Sequence, residues 1–111
     1  MIYPDKYNFE CFPLWNPHKT TVFKIKSFDY NARFVALRNS SGGFIARKDV
    51  RKIIFKAGNN ECAFCGSNQN LSIDHIVSVY RVAIGEFPIK KLNIRENLQP
   101  LCRECNSRKK P

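Results

Sequence analysis

The chain has 111 residues, room for one thin domain, and its 43% hydrophobic and 25% charged content is an ordinary globular balance that argues against disorder throughout. Its formal charge of +10, from 19 basic and 9 acidic residues, is not ordinary: it points to a polyanionic partner such as nucleic acid, with solubility as the plain alternative. No apolar run reaches transmembrane length and the N-terminus lacks the apolar core of a signal peptide, so a cytoplasmic protein with reduced thiols and no membrane partner is expected.

Residues 1–18 place Pro4, Pro13 and Pro17 among Tyr3, Tyr7, Phe9, Phe12 and Trp15, which reads as an irregular aromatic arm. Cys11 lies within it and is expected to be a small buried side chain near Phe9, Phe12 and Trp15. His18 reads as a surface or capping residue. Thr20–Phe28 has β-branched and aromatic content with Lys24 and Lys26 alternating against Phe23 and Ile25, the pattern of a strand. Asp29–Asn31 would turn the chain into a second strand over Ala32–Arg38, and Gly42-Gly43 would reverse it again. The expectation is a small antiparallel β extension bearing Lys24, Lys26, Arg33 and Arg38. Such a surface suits DNA, and equally suits any half-exposed sheet.

Lys48–Ala57 carries Val50, Ile53, Ile54 and Ala57 at i, i+3, i+4 and i+7, the signature of an amphipathic helix, with Gly58 placed to end it through a left-handed turn. Leu71–Val77 has strand character and sets Asp74 and His75 on or beside a strand. Glu96–Leu101 reads as a short turn or loop, and Cys102–Lys110 as a short helix.

The most specific signal is the pair Cys62-x-x-Cys65 and Cys102-x-x-Cys105, separated by 36 residues. Two intervening residues let both thiolates of each pair turn to one side, and four soft thiolates favour tetrahedral Zn2+ over iron–sulfur chemistry. A structural ion that binds only the folded state would stabilise a chain this small. With zinc on four thiolates the charge remains about +8.

The loop that the metal closes carries Asp74, His75 and Asn97, and Asn106 follows Cys105 directly. Asp74 and Asn106 offer oxygen, the ligand of Mg2+, Mn2+ or Ca2+ and unlike the thiolates. Adjacent strand residues point to opposite faces, so His75 cannot easily share that ion and is free to act as a general base. Singly, each of these residues has a bland reading as surface pair, turn residue or cap; their co-occurrence in one loop carries the chemistry. Arg103, Arg108, Lys109 and Lys110 beside them form a candidate phosphate clamp.

Through "CAFCG", "LSIDHIV", "ENLQPLC" and "CRECNSRKK", residues 47–111 resemble the HNH endonuclease family. The resemblance implies an α+β protein with a ββα-metal, treble-clef-like core, two antiparallel strands and a helix around a catalytic ion, with zinc holding the ends. It further implies that His75 activates water, that Asp74 binds the divalent ion, that Asn97 orients the loop and fixes the base, and that Asn106 completes the metal site, an H-N-N variant. The family often has a proline shortly after the D-H pair, where this chain has Val77-Ser78-Val79.

The sequence is therefore read as a DNA endonuclease with structural Zn2+ and catalytic Mg2+ or Mn2+, divided into a 1–46 extension that could contact DNA and a 47–111 nuclease core. A homodimer is expected if both strands are cut. The alternatives are a non-catalytic zinc-ribbon nucleic-acid-binding protein and a nuclease for structured or single strands.

Overall fold

The computed structural model describes residues 12–109; Cys11, the aromatic residues before it, and Lys110 lie outside the described residues. Among the described residues there are five α-helices and one two-stranded antiparallel sheet: α1 (Lys19–Ile25), α2 (Tyr30–Ile45), α3 (Lys48–Ala57), β1 (Leu71–His75), α4 (Val79–Ala83), β2 (Leu98–Cys102) and α5 (Arg103–Arg108). Short 3-10 turns occupy Ile89–Lys91 and Arg95–Asn97.

The expected β extension is helical instead. His18 caps α1, its Nδ1 accepting from the Thr20 backbone N–H at 3.2 Å, and Asp29 caps α2 by accepting from Asn31 N–H at 3.0 Å. Thr21, Val22 and Ile25 turn inward on α1, whereas Phe23, which the alternating pattern pairs with Ile25, is 80% exposed. On α2 the buried positions Ala36, Leu37, Ser41 and Phe44 follow a helical period. Gly42 and Gly43 lie within α2, where an added Cβ would meet nothing, so they do not reverse the chain. Strand-like local content yields here to two side-chain caps and a helical burial face, the usual outcome when tertiary packing opposes a weak propensity.

Helix α3 has the predicted bounds, burying Val50 and Ile54. Gly58 ends it, but at φ −94° and not in the left-handed region. What requires glycine there is proximity: a Cβ would fall 2.6 Å from Pro100 Cγ of β2. Residues 98–101, expected as turn or loop, and Cys102, expected to begin a helix, form β2 with Pro100 opposite Ile73; a two-stranded ribbon has only edges, so the missing N–H of Pro100 disrupts nothing further.

Strands β1 and β2 pair from Leu71↔Cys102 to His75↔Leu98, and α5 follows β2 directly. This is the ββα arrangement. Ile25, Ala36 and Leu37 of the first two helices pack with Val82, Ala83 and Leu92 of the β1–β2 connection. Phe44, Val50, Ile54, Ile73 and Leu98 form a second cluster beneath the hairpin. Helix α2 serves both, and its fully buried Leu37 gains about 1.5–3 kcal/mol from that burial.

Candidate metal centres and active site

Cys62 and Cys65 sit on a tight turn closed by Gly66 N–H to Cys62 O at 2.9 Å, with Gly66 at φ +80°. Cys102 ends β2 and Cys105 lies in the first turn of α5. The turn is lashed to β2 by Ala63 N–H to Pro100 O at 2.9 Å, and α5 to the β1 approach by Arg103 N–H to Asn70 O at 3.1 Å. The four Sγ atoms lie within 4.8 Å of one another, and Cys65 Sγ and Cys102 Sγ are 3.7 Å apart. A tetrahedron with Zn–S bonds near 2.3 Å has edges of about 3.8 Å. Backbone N–H groups of Phe64 and Cys105 already point at Cys62 Sγ and Cys102 Sγ, at 3.4 and 3.5 Å.

The thiols also show why a cation belongs here. Burial works against the Cys62 thiolate, yet backbone N–H donors at Cys102, Cys65 and Phe64 bring it down to about 6. Contact with Cys102, then burial, pushes Cys105 up to about 12. A site that favours one thiolate and resists another is one that a dication completes. The four cysteines are positioned to bind a metal ion, and their number and softness suggest zinc.

β1 separates Asp74 from His75. Ser72 and Asp74 face α5: Asn106 Nδ2 donates to Ser72 Oγ at 3.2 Å, and Lys109 Nζ lies 2.8 Å from Asp74 Oδ2. Gln99, opposite Asp74 on β2, donates to the same carboxylate oxygen at 3.0 Å. Lys109 also donates to the backbone carbonyls of His75 and Ile76. Asp74 and the two carbonyls thus gather oxygen around one positive charge. That donor set fits a hard divalent ion, and the cation it holds here is the Lys109 ammonium. Asn106 lies exposed on the same side.

His75 faces the opposite way, into the interior, and is 9% exposed. Its Nε2 is 2.7 Å from Asn93 Oδ1 and 2.9 Å from Ser41 Oγ of α2, and Ser41 in turn donates to Asn93 Oδ1 at 3.0 Å. Burial, opposed by the Asn93 hydrogen bond and the Asp74 charge and aided by the Lys109 charge, holds the imidazole below the ordinary histidine value. Asn97 locks the chain just beyond: its Oδ1 accepts from Val77 N–H at 2.8 Å, and its Nδ2 donates to Val77 O and Leu92 O. Ile76 N–H donates to Asn97 O at 2.8 Å.

The basic residues differ in their surroundings. Arg103 and Arg108 are exposed on α5 beside the knuckle, Arg108 within 3.9 Å of Glu104. Lys24 on α1, Lys26 at its C-terminal cap and Arg38 on α2 are exposed, Arg38 lying over the Phe34 ring. Arg33 is half-buried and tied to Ala83 O and Ser27 O. Sequence reading missed Ser41, Asn93 and the placement of Lys109. Ser41 sits in a stretch read as leading to a reversal, and Asn93 carries no local pattern at all.

Residues 62–111 match the family model described as HNH endonuclease. The match is narrower than the 47–111 span of the motif resemblance and contains both cysteine pairs, Asp74, His75, Asn97 and Asn106. It associates the chain with nucleases and nucleic-acid-related proteins. No curated protein and no solved structure gives a significant match. None of the described helices is long and apolar enough to cross a membrane.

Proposed function

We propose that the matched region is an HNH domain and a metal-dependent endonuclease that hydrolyses DNA phosphodiester bonds, with His75 as general base and with Asp74 and Asn106 holding one Mg2+ or Mn2+ ion. The observation that carries the reading is the two-sidedness of β1, with an oxygen-lined cation site on one face and a buried, hydrogen-bonded imidazole on the other. Metal-binding oxygen and a proton acceptor one residue apart, on opposite faces of a rigid strand, suit the two tasks of phosphodiester hydrolysis.

His75 takes the proton of the attacking water. Burial lowers its pKa and so favours the form with a ring nitrogen free to do so. Asn97 holds Val77 by both backbone groups, so the end of β1 cannot fray beneath the base. Arg103 and Arg108 hold the phosphate backbone. When bound, the divalent ion neutralises charge developing on the phosphate and leaving oxygen. The zinc knuckle joins the β hairpin to α5 and so keeps Asn106, bonded to Ser72, on the face of β1 that carries Asp74. Residues 47–111 form the nuclease core in this reading, and residues 1–46 are an extension that backs it and carries further basic side chains.

Incubation of the full chain with supercoiled plasmid and Mg2+ or Mn2+, against an EDTA control, tests this. Ion-dependent nicked or linear product supports it, and linear product formed in a single encounter indicates a homodimer. Retained DNA binding with no cleavage under either ion would replace it with a zinc-ribbon binding protein, the role in which a lysine on Asp74 would be permanent.

A further inference from the structure

We infer that Ser41 and Asn93 are positioning residues that fix the tautomer and orientation of His75, so that helix α2, which lies outside the matched domain, is part of the catalytic apparatus. The inference rests on the proposed role of His75 as base. Ser41 is fully buried and Asn93 is 4% exposed, and both are directed at His75 Nε2.

The hydrogen-bond directions follow from the acceptor they share. Ser41 donates its hydroxyl proton to Asn93 Oδ1, and Nε2, 2.7 Å from that same oxygen, can join it only as N–H. With Nε2 protonated, Nδ1 carries the lone pair that takes the proton from water. Among the described residues Nδ1 has no hydrogen-bond partner, and the one buried side-chain polar atom without a partner is Asn93 Nδ2.

That orphaned Nδ2 is itself informative. A buried amide donor without an acceptor is a cost that an apolar side chain of the same size would avoid. Its retention fits a residue kept for its carbonyl oxygen. Ser41 adds a second constraint from a separate element: it holds Asn93 Oδ1 in place and prevents rotation of the imidazole.

The experiment combines nitrogen-15 NMR of the imidazoles with plasmid cleavage kinetics of the full-length, zinc-loaded protein. The chain has two histidines, so the His75 signals are separable from those of His18. The wild-type protein should show His75 with Nε2 protonated and Nδ1 bare. Asn93→Leu should shift the ring toward a mixture of tautomers and lower kcat by about 10–100-fold with KM little changed. Asn93→Asp, which keeps the acceptor oxygen, should preserve both the tautomer and most of kcat. Ser41→Ala should give a smaller loss in the same direction.

A wild-type ring protonated at Nδ1, or wild-type kcat in Asn93→Leu, overturns the inference. His75→Ala separates it from the reading beneath it. Undiminished cleavage there removes the base assignment itself. Cleavage abolished in His75→Ala but intact in Ser41→Ala and Asn93→Leu removes only the positioning role.

Discussion

Lys109 Nζ and Asp74 Oδ2 lie 2.8 Å apart, the lysine side chain 19% exposed and the carboxylate 10%. The pair joins the residue following α5 to β1 on the side away from His75. With the carbonyls of His75 and Ile76 it makes a site in which positive charge is held by oxygen alone. A divalent ion taken up by Asp74 must displace that ammonium, because like charges sharing one carboxylate repel.

Lys109→Met should therefore bind Mn2+ more tightly than wild type, by about tenfold, equivalent to about 1.4 kcal/mol of removed competition. Without ion the variant should melt roughly 4–8 °C lower, the shift expected for a loss of about 1 kcal/mol in a domain of this size. Mn2+ should restore the difference. Calorimetric titration and thermal melts read both effects, and unchanged or weaker Mn2+ binding would show that the lysine does not compete for the site.

Asp74→Ala and Asn106→Ala should each weaken Mn2+ binding and suppress cleavage while zinc content stays at one per chain. Asn106→Asp keeps an oxygen ligand and should retain part of the activity. If both alanine variants titrate with Mn2+ as wild type does, the hard-ion site lies elsewhere.

Asn97→Ala should act on stability before chemistry. It removes three side-chain hydrogen bonds and leaves half-buried Val77 groups and the buried Leu92 carbonyl without that partner, a loss of about 2–4 kcal/mol. Urea denaturation of the zinc-loaded protein measures this. A loss below about 0.5 kcal/mol would mean that water replaces the amide without cost.

Serine at Cys62, Cys65, Cys102 or Cys105 should lower zinc stoichiometry and destabilise the fold, since all four Sγ atoms share one site. Cys11→Ser should keep one zinc per chain. Elemental analysis of the five variants decides the matter: zinc retained in the first four, or missing from the fifth, contradicts the assignment.

The basic residues should separate by their present partners. Replacing Arg103 and Arg108 together should flatten the dependence of log K on log salt by roughly 0.9 for each phosphate that the pair neutralises. Arg33→Ala should lower the melting temperature instead, because its guanidinium holds Ala83 O and Ser27 O. A salt slope altered by Arg33→Ala and untouched by the α5 pair would reverse this division.

The features legible in the amino-acid order are those whose chemistry is local. Two C-x-x-C pairs can hardly do other than share a metal, and the amphipathic period of Lys48–Ala57 admitted one reading. Alternation along β1 was enough to expect Asp74 and His75 on opposite faces. The remainder was settled by packing. Thr20–Phe28 and Ala32–Arg38 have the content of strands but fold largely into α1 and α2, because two capping side chains and burial against Val82, Ala83 and Leu92 outweigh a preference worth little per residue. The same change brings Ser41 to His75, a contact across 34 positions that no local pattern encodes. Lys109 looked like one member of a basic run. Only the return of β2 and the turn of α5, pinned by the cysteines, carry its ammonium to Asp74, because contacts between residues distant in sequence depend on how the chain closes and not on its local propensity.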